Sequence, residues 1–215
     1  MRTSSSIKVC ELYEESAEGY AAMMDAEIDL PIYADTLGRL AERLSGIPGP
    51  VVDTSCGPGH MLARYRERYD PDRSLVGVDL SPRMVALAGT RLGAGAEAVV
   101  GDMRDLSGVE AGSGAAVLSF FAVHHVDPAG AQAAFREWSR VLRMGGQVLV
   151  AAWEGTGAID YGGATDVVAL RYTQREIIDW AQEAGFVVDR CVVEPVEGMP
   201  MAAVYLEGTK RGPSR

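Results

Sequence analysis

Short apolar runs punctuate this chain near residues 50–54, 74–79, 96–100, 115–120 and 147–153. The segments between several of them, near 59–68, 82–91 and 129–141, have the length and mixed polarity of helices. Alternation of this kind predicts strands and helices in succession, the pattern of a parallel sheet covered by helices. Ser81-Pro82 and Asp127-Pro128 each open a helix, with a capping side chain followed by a proline in the first turn. Thr173-Gln174-Arg175-Glu176 has capping-box spacing and opens a helix through Ala184, which Gly185 ends. Apolar runs near 186–194 and 200–207 then predict an antiparallel hairpin that closes the sheet. Ahead of the first strand, residues 11–28 read as a helix with Tyr13 and Tyr20 on one face. Asp29-Leu30-Pro31 reads as the start of a second helix, with Asp29 as its cap. That helix runs to about Leu44 and stops at Ser45-Gly46-Ile47-Pro48-Gly49. Residues 1–6 and 210–215 read as frayed ends.

Three of the runs end in an acid: Val51-Val52-Asp53, Val76-Gly77-Val78-Asp79 and Val99-Val100-Gly101-Asp102. In successive strand–helix units these acids share the C-terminal edge of one sheet, where ligands bind. After Asp53 comes Thr54-Ser55-Cys56-Gly57-Pro58-Gly59, a turn of small residues leading into a helix with His60 at its start. A phosphate cradle fits poorly, because there is no Gly-Lys-Ser/Thr ending and no full G-x-G-x-x-G. Asp53 would also repel a pyrophosphate. An acid beside exposed amides suits a zwitterion with an ammonium and a carboxylate. A carboxylate ending the second strand suits a ribose diol, and Asp102 with Met103 beside it suits an adenine.

With these motifs the chain resembles the class I S-adenosylmethionine (SAM)-dependent methyltransferases. Asp53, Cys56, Gly57 and Gly59 match the first motif, with Ser55 in place of its first glycine. Gly77-Val78-Asp79-Leu80-Ser81 and Gly101-Asp102-Met103 match the second and third. Val117-Leu118-Ser119-Phe120-Phe121-Ala122-Val123-His124-His125-Val126 matches the fourth, and Val141 to Val150 a fifth. The acid that often opens the fourth strand is missing, since Gly114-Ala115-Ala116 stands there. The resemblance runs from about Tyr13 to Leu206. It implies an α/β, Rossmann-like three-layer sandwich: a mostly parallel seven-stranded sheet with an antiparallel C-terminal hairpin, preceded by N-terminal helices. Residues 1–46 are then an N-terminal helical cap and 47–209 the SAM-binding domain, in one compact unit. SAM is the implied cofactor and S-adenosylhomocysteine (SAH) the product. The methionine end falls to Asp53, Ser55, Cys56, Gly57 and Gly59, the ribose to Asp79, and the adenine to Asp102 and Met103. Leu80, Met84, Ser119 and Phe120 complete the implied cofactor site, with Tyr20 closing over it.

Composition narrows the partners. A chain of 215 residues with 47% hydrophobic and 23% charged residues fits one soluble globule. A net charge of −10 argues against a nucleic-acid partner. Cys10, Cys56 and Cys191 are too few for a disulfide framework and suit a reducing compartment. No apolar run approaches the roughly 20 residues of a membrane span, and Met1–Ser6 lacks a signal core. The expectation is a cytoplasmic monomer or homodimer. No paired His or Cys at zinc spacing is present, so no metal is expected.

His124-His125 is the main candidate for acid–base chemistry, since histidine accepts a proton near neutral pH. Adjacent on an extended segment, the two rings are expected to diverge, with His124 toward the methyl donor as base and His125 in a structural role. Tyr13, Trp153, Glu154, Tyr161 and Tyr172 are the candidate substrate residues. The short connection before the last helix leaves room for a modest pocket. The function read from this is methyl transfer to an O, N or C atom of a small-molecule biosynthetic intermediate, as in secondary metabolism. The alternatives are a protein or nucleic-acid acceptor, or a SAM-binding regulatory module without catalysis.

Overall fold

The computed structural model describes residues 2–196 and 199–211. Seven strands form one sheet in the order β3-β2-β1-β4-β5-β7-β6. The parallel strands are β1 (Val51–Asp53), β2 (Leu75–Asp79), β3 (Ala96–Val100), β4 (Gly114–Phe120) and β5 (Leu142–Trp153). β6 (Phe186–Pro195) and β7 (Ala202–Lys210) add the antiparallel hairpin, with β7 beside β5. The Rossmann-like architecture expected from the strand–helix alternation is the one observed. Strand order reverses between β1 and β4, which opens a crevice at the C-terminal ends of the strands.

Side-chain alternation along the strands builds the three layers. Val52, Val117 and Val148 face α5 (Pro128–Val141) and α6 (Gln174–Glu183), against Phe135, Trp138 and Trp180. Their neighbours Val51, Leu118 and Leu149 face the opposite way, toward α2 (Pro31–Arg43), α3 (His60–Arg68) and α4 (Pro82–Leu92). A sheet buried on both faces needs apolar residues at consecutive positions, and this is why the strands read as continuous apolar runs.

The capping residues act as expected. Ser81, Asp127 and Thr173 each accept a backbone N–H from the first turn of their helices. Glu176 returns the bond to the Thr173 N–H at 2.9 Å, which completes the capping box. Asp29 is a correction: Leu30 is the N-cap of α2 and makes no side-chain capping bond, while Asp29 pairs with Arg64. Pro31 has no N–H to satisfy, so the cap is less needed there. α1 spans Ser6–Glu27 and starts earlier than its apolar pattern suggests, capped by Ser5. The expected frayed N-terminus is in part paired, because Ser4 N–H donates to the Val168 carbonyl at 3.0 Å and Ser4 Oγ accepts from Val168 N–H at 2.9 Å. At the other end, β7 includes Lys210, while residues 212–215 lie outside the described residues. β5 begins five residues before the predicted strand, directly after α5, with its pairing to β4 irregular between Gly114 and Ala116.

Candidate functional site

A two-lobed pocket lies at the C-terminal ends of β1, β2 and β4, beneath α1. The first lobe encloses about 560 Å³, mouth included. Val9, Tyr13 and Tyr20 line it from α1, Asp79 and Leu80 from the end of β2, and Met84 from α4. Met103, Thr54, Phe120, Phe121, Ala122 and His125 complete its wall. The second lobe encloses about 410 Å³ and holds Asp53, Cys56, Pro58 and His60. Tyr20, Ser55, Gly57, Phe120 and Phe121 line both.

The two strand-end acids are held by the glycine-rich turn. Asp79 accepts from Gly57 N–H at 2.8 Å and Ser81 N–H at 3.0 Å. Asp53 accepts from Ser55 N–H at 3.2 Å. Both carboxyls are pushed up by burial, Asp53 to about 7 against the pull of the Ser55 bond. Among the described residues Asp53 has no ion-pair partner, although it is 2% exposed. A buried acid without a cation is costly, so this lobe has the chemistry to receive an ammonium. The Ser55 hydroxyl is also buried without a partner. Gly57 takes a positive φ of 49°, which lets the turn present its backbone beside Tyr20.

The His pair corrects the sequence expectation. Val123–His125 is a single 3₁₀ turn and not an extended strand end. The His125 N–H returns to the Ala122 carbonyl at 2.9 Å, which winds the chain at the point where the apolar run reads as strand. The rings therefore lie together, with centroids 4.1 Å apart, and do not diverge. His125, not His124, lines the pocket. Its Nε2 is 2.8 Å from the Tyr13 hydroxyl, and the rings meet edge-on at 5.4 Å. Burial pushes His125 down to about 4, pushes His124 well below the usual range, and raises Tyr13 well above its own. All three are neutral at pH 7. His124 lies beneath, buried, with its Nδ1 unpaired.

Several other candidates lie elsewhere. Ser119 is buried and outside the pocket, because strand alternation turns it away from the side that Phe120 faces. Asp102 does not line the pocket; it accepts from Arg104 N–H at 2.9 Å and Arg104 Nε at 2.8 Å. Although partial burial raises its carboxyl, the Arg104 bonds and charge bring it below the ordinary value. Gly59 faces α4, where a Cβ would meet Ala88 at 3.2–3.3 Å. Tyr172 is a core residue: its hydroxyl donates to the Val126 carbonyl and its ring packs on Trp180. Glu154 sits outside the pocket, its N–H donating to the Ala202 carbonyl at 2.9 Å. Trp153 stands behind the lining and packs at a tilt on Phe121, with centroids 4.6 Å apart. Tyr161 is half-buried and close enough to influence Tyr13. Sequence reading missed Phe121, Thr54, Val9 and Ala122 as lining residues; the one signal for Phe121 is the aromatic pair ending the fourth apolar run.

α1 closes the site with polar latches. His60 Nε2 is 2.8 Å from Asp25, whose same oxygen takes Arg91 at 2.9 Å. Glu14 accepts from Ser81 Oγ at 2.5 Å and Arg83 N–H at 2.7 Å, and Glu18 pairs with Arg83.

Sheet order, hairpin and site position together define the fold of the class I methyltransferases. Residues 51–146 match the family model described as a methyltransferase domain, which bears out the resemblance carried by the motifs. A trans-aconitate 2-methyltransferase of Mycobacterium tuberculosis is 49% identical over 55 residues, 26% of this chain and 20% of that protein. The match thus spans about a fifth of the length of that relative. Among solved structures, a 1,6-didemethyltoxoflavin-N1-methyltransferase of Burkholderia thailandensis, with its acceptor and S-adenosylhomocysteine bound, aligns over 99% of this chain and 93% of its own, at 17% identity and a TM-score of 0.73. A cyclase aligns over 98% of both chains at 15% identity and a TM-score of 0.72. No helix among the described residues is long and apolar enough to cross a membrane.

Proposed function

We propose that this chain is a SAM-dependent methyltransferase acting on an O, N or C atom of a small molecule. The observation that carries the reading is the buried, unpaired Asp53 facing the second lobe, one strand away from a second pocket acid, Asp79. Asp53 takes the cofactor ammonium, Gly57 and Ser55 its methionine end, and Asp79 its ribose hydroxyls. Leu80, Met84 and Met103 provide the apolar bed for the adenine. In this arrangement Asp102, tied to Arg104 outside the pocket, does not read the base directly. SAM, when bound, supplies a methyl group already activated on a sulfonium.

The chain's own task is then positioning, exclusion of water and handling of one proton. Tyr13, Tyr20, Phe120 and Phe121 line the first lobe together with His125 and exclude water from it. His125, neutral at pH 7, takes a proton at Nε2 from the Tyr13 hydroxyl 2.8 Å away as that hydroxyl receives the acceptor's proton, so Tyr13 relays the proton and ends neutral. The acceptors named for the trans-aconitate and didemethyltoxoflavin relatives are small molecules, which supports that class. Three free cysteines fit a cytoplasmic setting.

A second reading keeps the cofactor and drops the transfer. It is favoured by the likeness to a cyclase, since one fold hosts several reactions. Methyl-labelled SAM incubated with the protein and a metabolite extract separates the readings. Label in small organics is the expected result. Label in macromolecules gives a protein or nucleic-acid acceptor, and tight SAM binding without label gives the regulatory module. Asp79→Ala should weaken SAH binding by about 1.5–3 kcal/mol in calorimetry; unchanged affinity would remove Asp79 from the ribose.

A further inference from the structure

The charge and shape of the pocket wall specify the acceptor more closely. Among the described residues no lysine or arginine lines either lobe, and the acids present are Asp53 and Asp79. The cations around the rim are engaged: Lys8 with Asp166 at 2.6 Å, Arg91 with Asp25 at 2.9 Å, Arg104 with Asp102, and Arg83 with Glu18. An anionic acceptor entering here would be desolvated with no lysine or arginine to receive it, which is strongly unfavourable.

The walls also have a definite shape. On the α1 side Tyr13 and Tyr20 meet edge-on, with centroids 5.9 Å apart and planes at 90°. On the sheet side Phe121 packs on Trp153 with centroids 4.6 Å apart and planes tilted by 40°, and meets Tyr205 edge-on at 6.2 Å. Phe121 is the one non-glycine among the described residues with a positive φ, 48°. A bulky residue in that region is strained and persists where its surroundings fix it, as happens at ligand clamps. Here its N–H is tied to the Ala151 carbonyl at 2.8 Å and its ring is held by the two aromatics behind it. The strained backbone presents a rigid flat ring to the pocket, across from the tyrosine pair, with His125 Nε2 in the same wall. Flat rings prefer stacked or edge-on aromatic partners.

We propose that the acceptor is an uncharged molecule with a flat aromatic ring bearing an O–H or N–H, received between the Tyr13–Tyr20 pair and the Phe121–Trp153 pair with that group toward His125. The inference rests on the methyl-transfer reading of the site.

The test uses the full chain saturated with SAH and three probes in calorimetry: 2-naphthol, 2-naphthoate, in which an anionic carboxylate replaces the hydroxyl on the same ring system, and trans-aconitate. The expected result is binding of 2-naphthol, with 2-naphthoate weaker by about tenfold or more, equal to 1.4 kcal/mol, and no binding of trans-aconitate. Trp153→Leu, which frees the Phe121 ring, should weaken 2-naphthol by about fivefold, on the order of a single aromatic pair. Either anion binding as tightly as 2-naphthol, or no binding of 2-naphthol to the SAH-loaded protein, overturns the proposal. Failure of SAH itself to bind, seen before any probe is added, overturns the methyl-transfer reading and the proposal with it.

Discussion

Asp53 lies in the second lobe with a carboxyl raised to about 7, against about 3.9 for a free aspartate. Raised in the fold, it adds stability that is complete below about pH 4 and is lost as pH rises toward 7. An ammonium placed beside it would pull the pKa back down. Binding of SAH near pH 6.5 should therefore release on the order of half a proton or more. Titrations in two buffers of different ionisation enthalpy measure this, and Asp53→Asn should abolish it; zero release in the native protein would place the ammonium elsewhere. His125 shifts the other way, to about 4, so its contribution to stability is present above about pH 6.5 and lost as pH falls toward 4. At saturating SAM, His125→Ala should slow single-turnover transfer by about 10²–10⁴-fold where proton removal limits the rate. His124→Ala should act through stability instead, at about 0.5–3 kcal/mol, because it leaves a cavity under His125. The reverse order would return the base to His124. The sequence shows that a histidine pair follows the fourth strand, but not which ring faces the site. Ala122-Val123-His124-His125-Val126 reads as a continuing strand, and the 3₁₀ turn that reverses the assignment depends on tertiary contacts such as Leu170 N–H on the His124 carbonyl at 2.8 Å. Phe121 was hidden for the same reason, since its positive φ has no signature in a phenylalanine.

At the scale of elements, α1 shows how local signal and packing can part company. Its 22 residues bury Val9, Ala17 and Met24, and much of its attachment is polar. The Glu18–Arg83 and Asp25–Arg91 pairs are largely exposed, and such pairs contribute little and weaken with salt. Raising ionic strength from about 0.05 to 0.5 M should therefore speed amide exchange in α1 while leaving β1, β4 and β5 protected. Equal exchange across α1 and the sheet would show that the helix is not held by these latches. The sheet itself was readable, because burial on both faces forces consecutive apolar residues and because Ser81, Asp127 and Thr173 mark their helix starts by side-chain chemistry. The start of α1 was not, since Ser5 caps it among serines that equally suit a loop. Asp29 shows the limit of the capping signal: the residue type was right, but a partner 35 positions away, Arg64, engages it instead.

For the molecule as a whole, the open question is where the helical cap ends and the folding unit begins. The motif pattern places that boundary at residue 46, but packing places α2 inside the core. Tyr33, Leu37, Leu40 and Leu44 are buried in one cluster with Val51, Leu62, Leu75, Leu118 and Leu149. Burial of these four side chains contributes about 1.5–3 kcal/mol each, a sum comparable to the 5–15 kcal/mol that stabilises a whole domain. α1 orders 22 residues for few buried apolar side chains, and at about 1 kcal/mol or more of entropy per residue its net contribution is small. It supplies Tyr13, Tyr20 and Val9 to the pocket. A chain lacking residues 1–28 should therefore still melt cooperatively but bind SAH at least about tenfold more weakly, a loss of 1.4 kcal/mol. A chain lacking residues 1–46 should show no cooperative transition, because it loses the leucines that cover β1, β2, β4 and β5. Thermal melts by circular dichroism and SAH titrations on both chains decide the matter. Cooperative melting without α2 would make it part of a detachable cap; loss of cooperativity on removing α1 alone would make both helices integral to the fold.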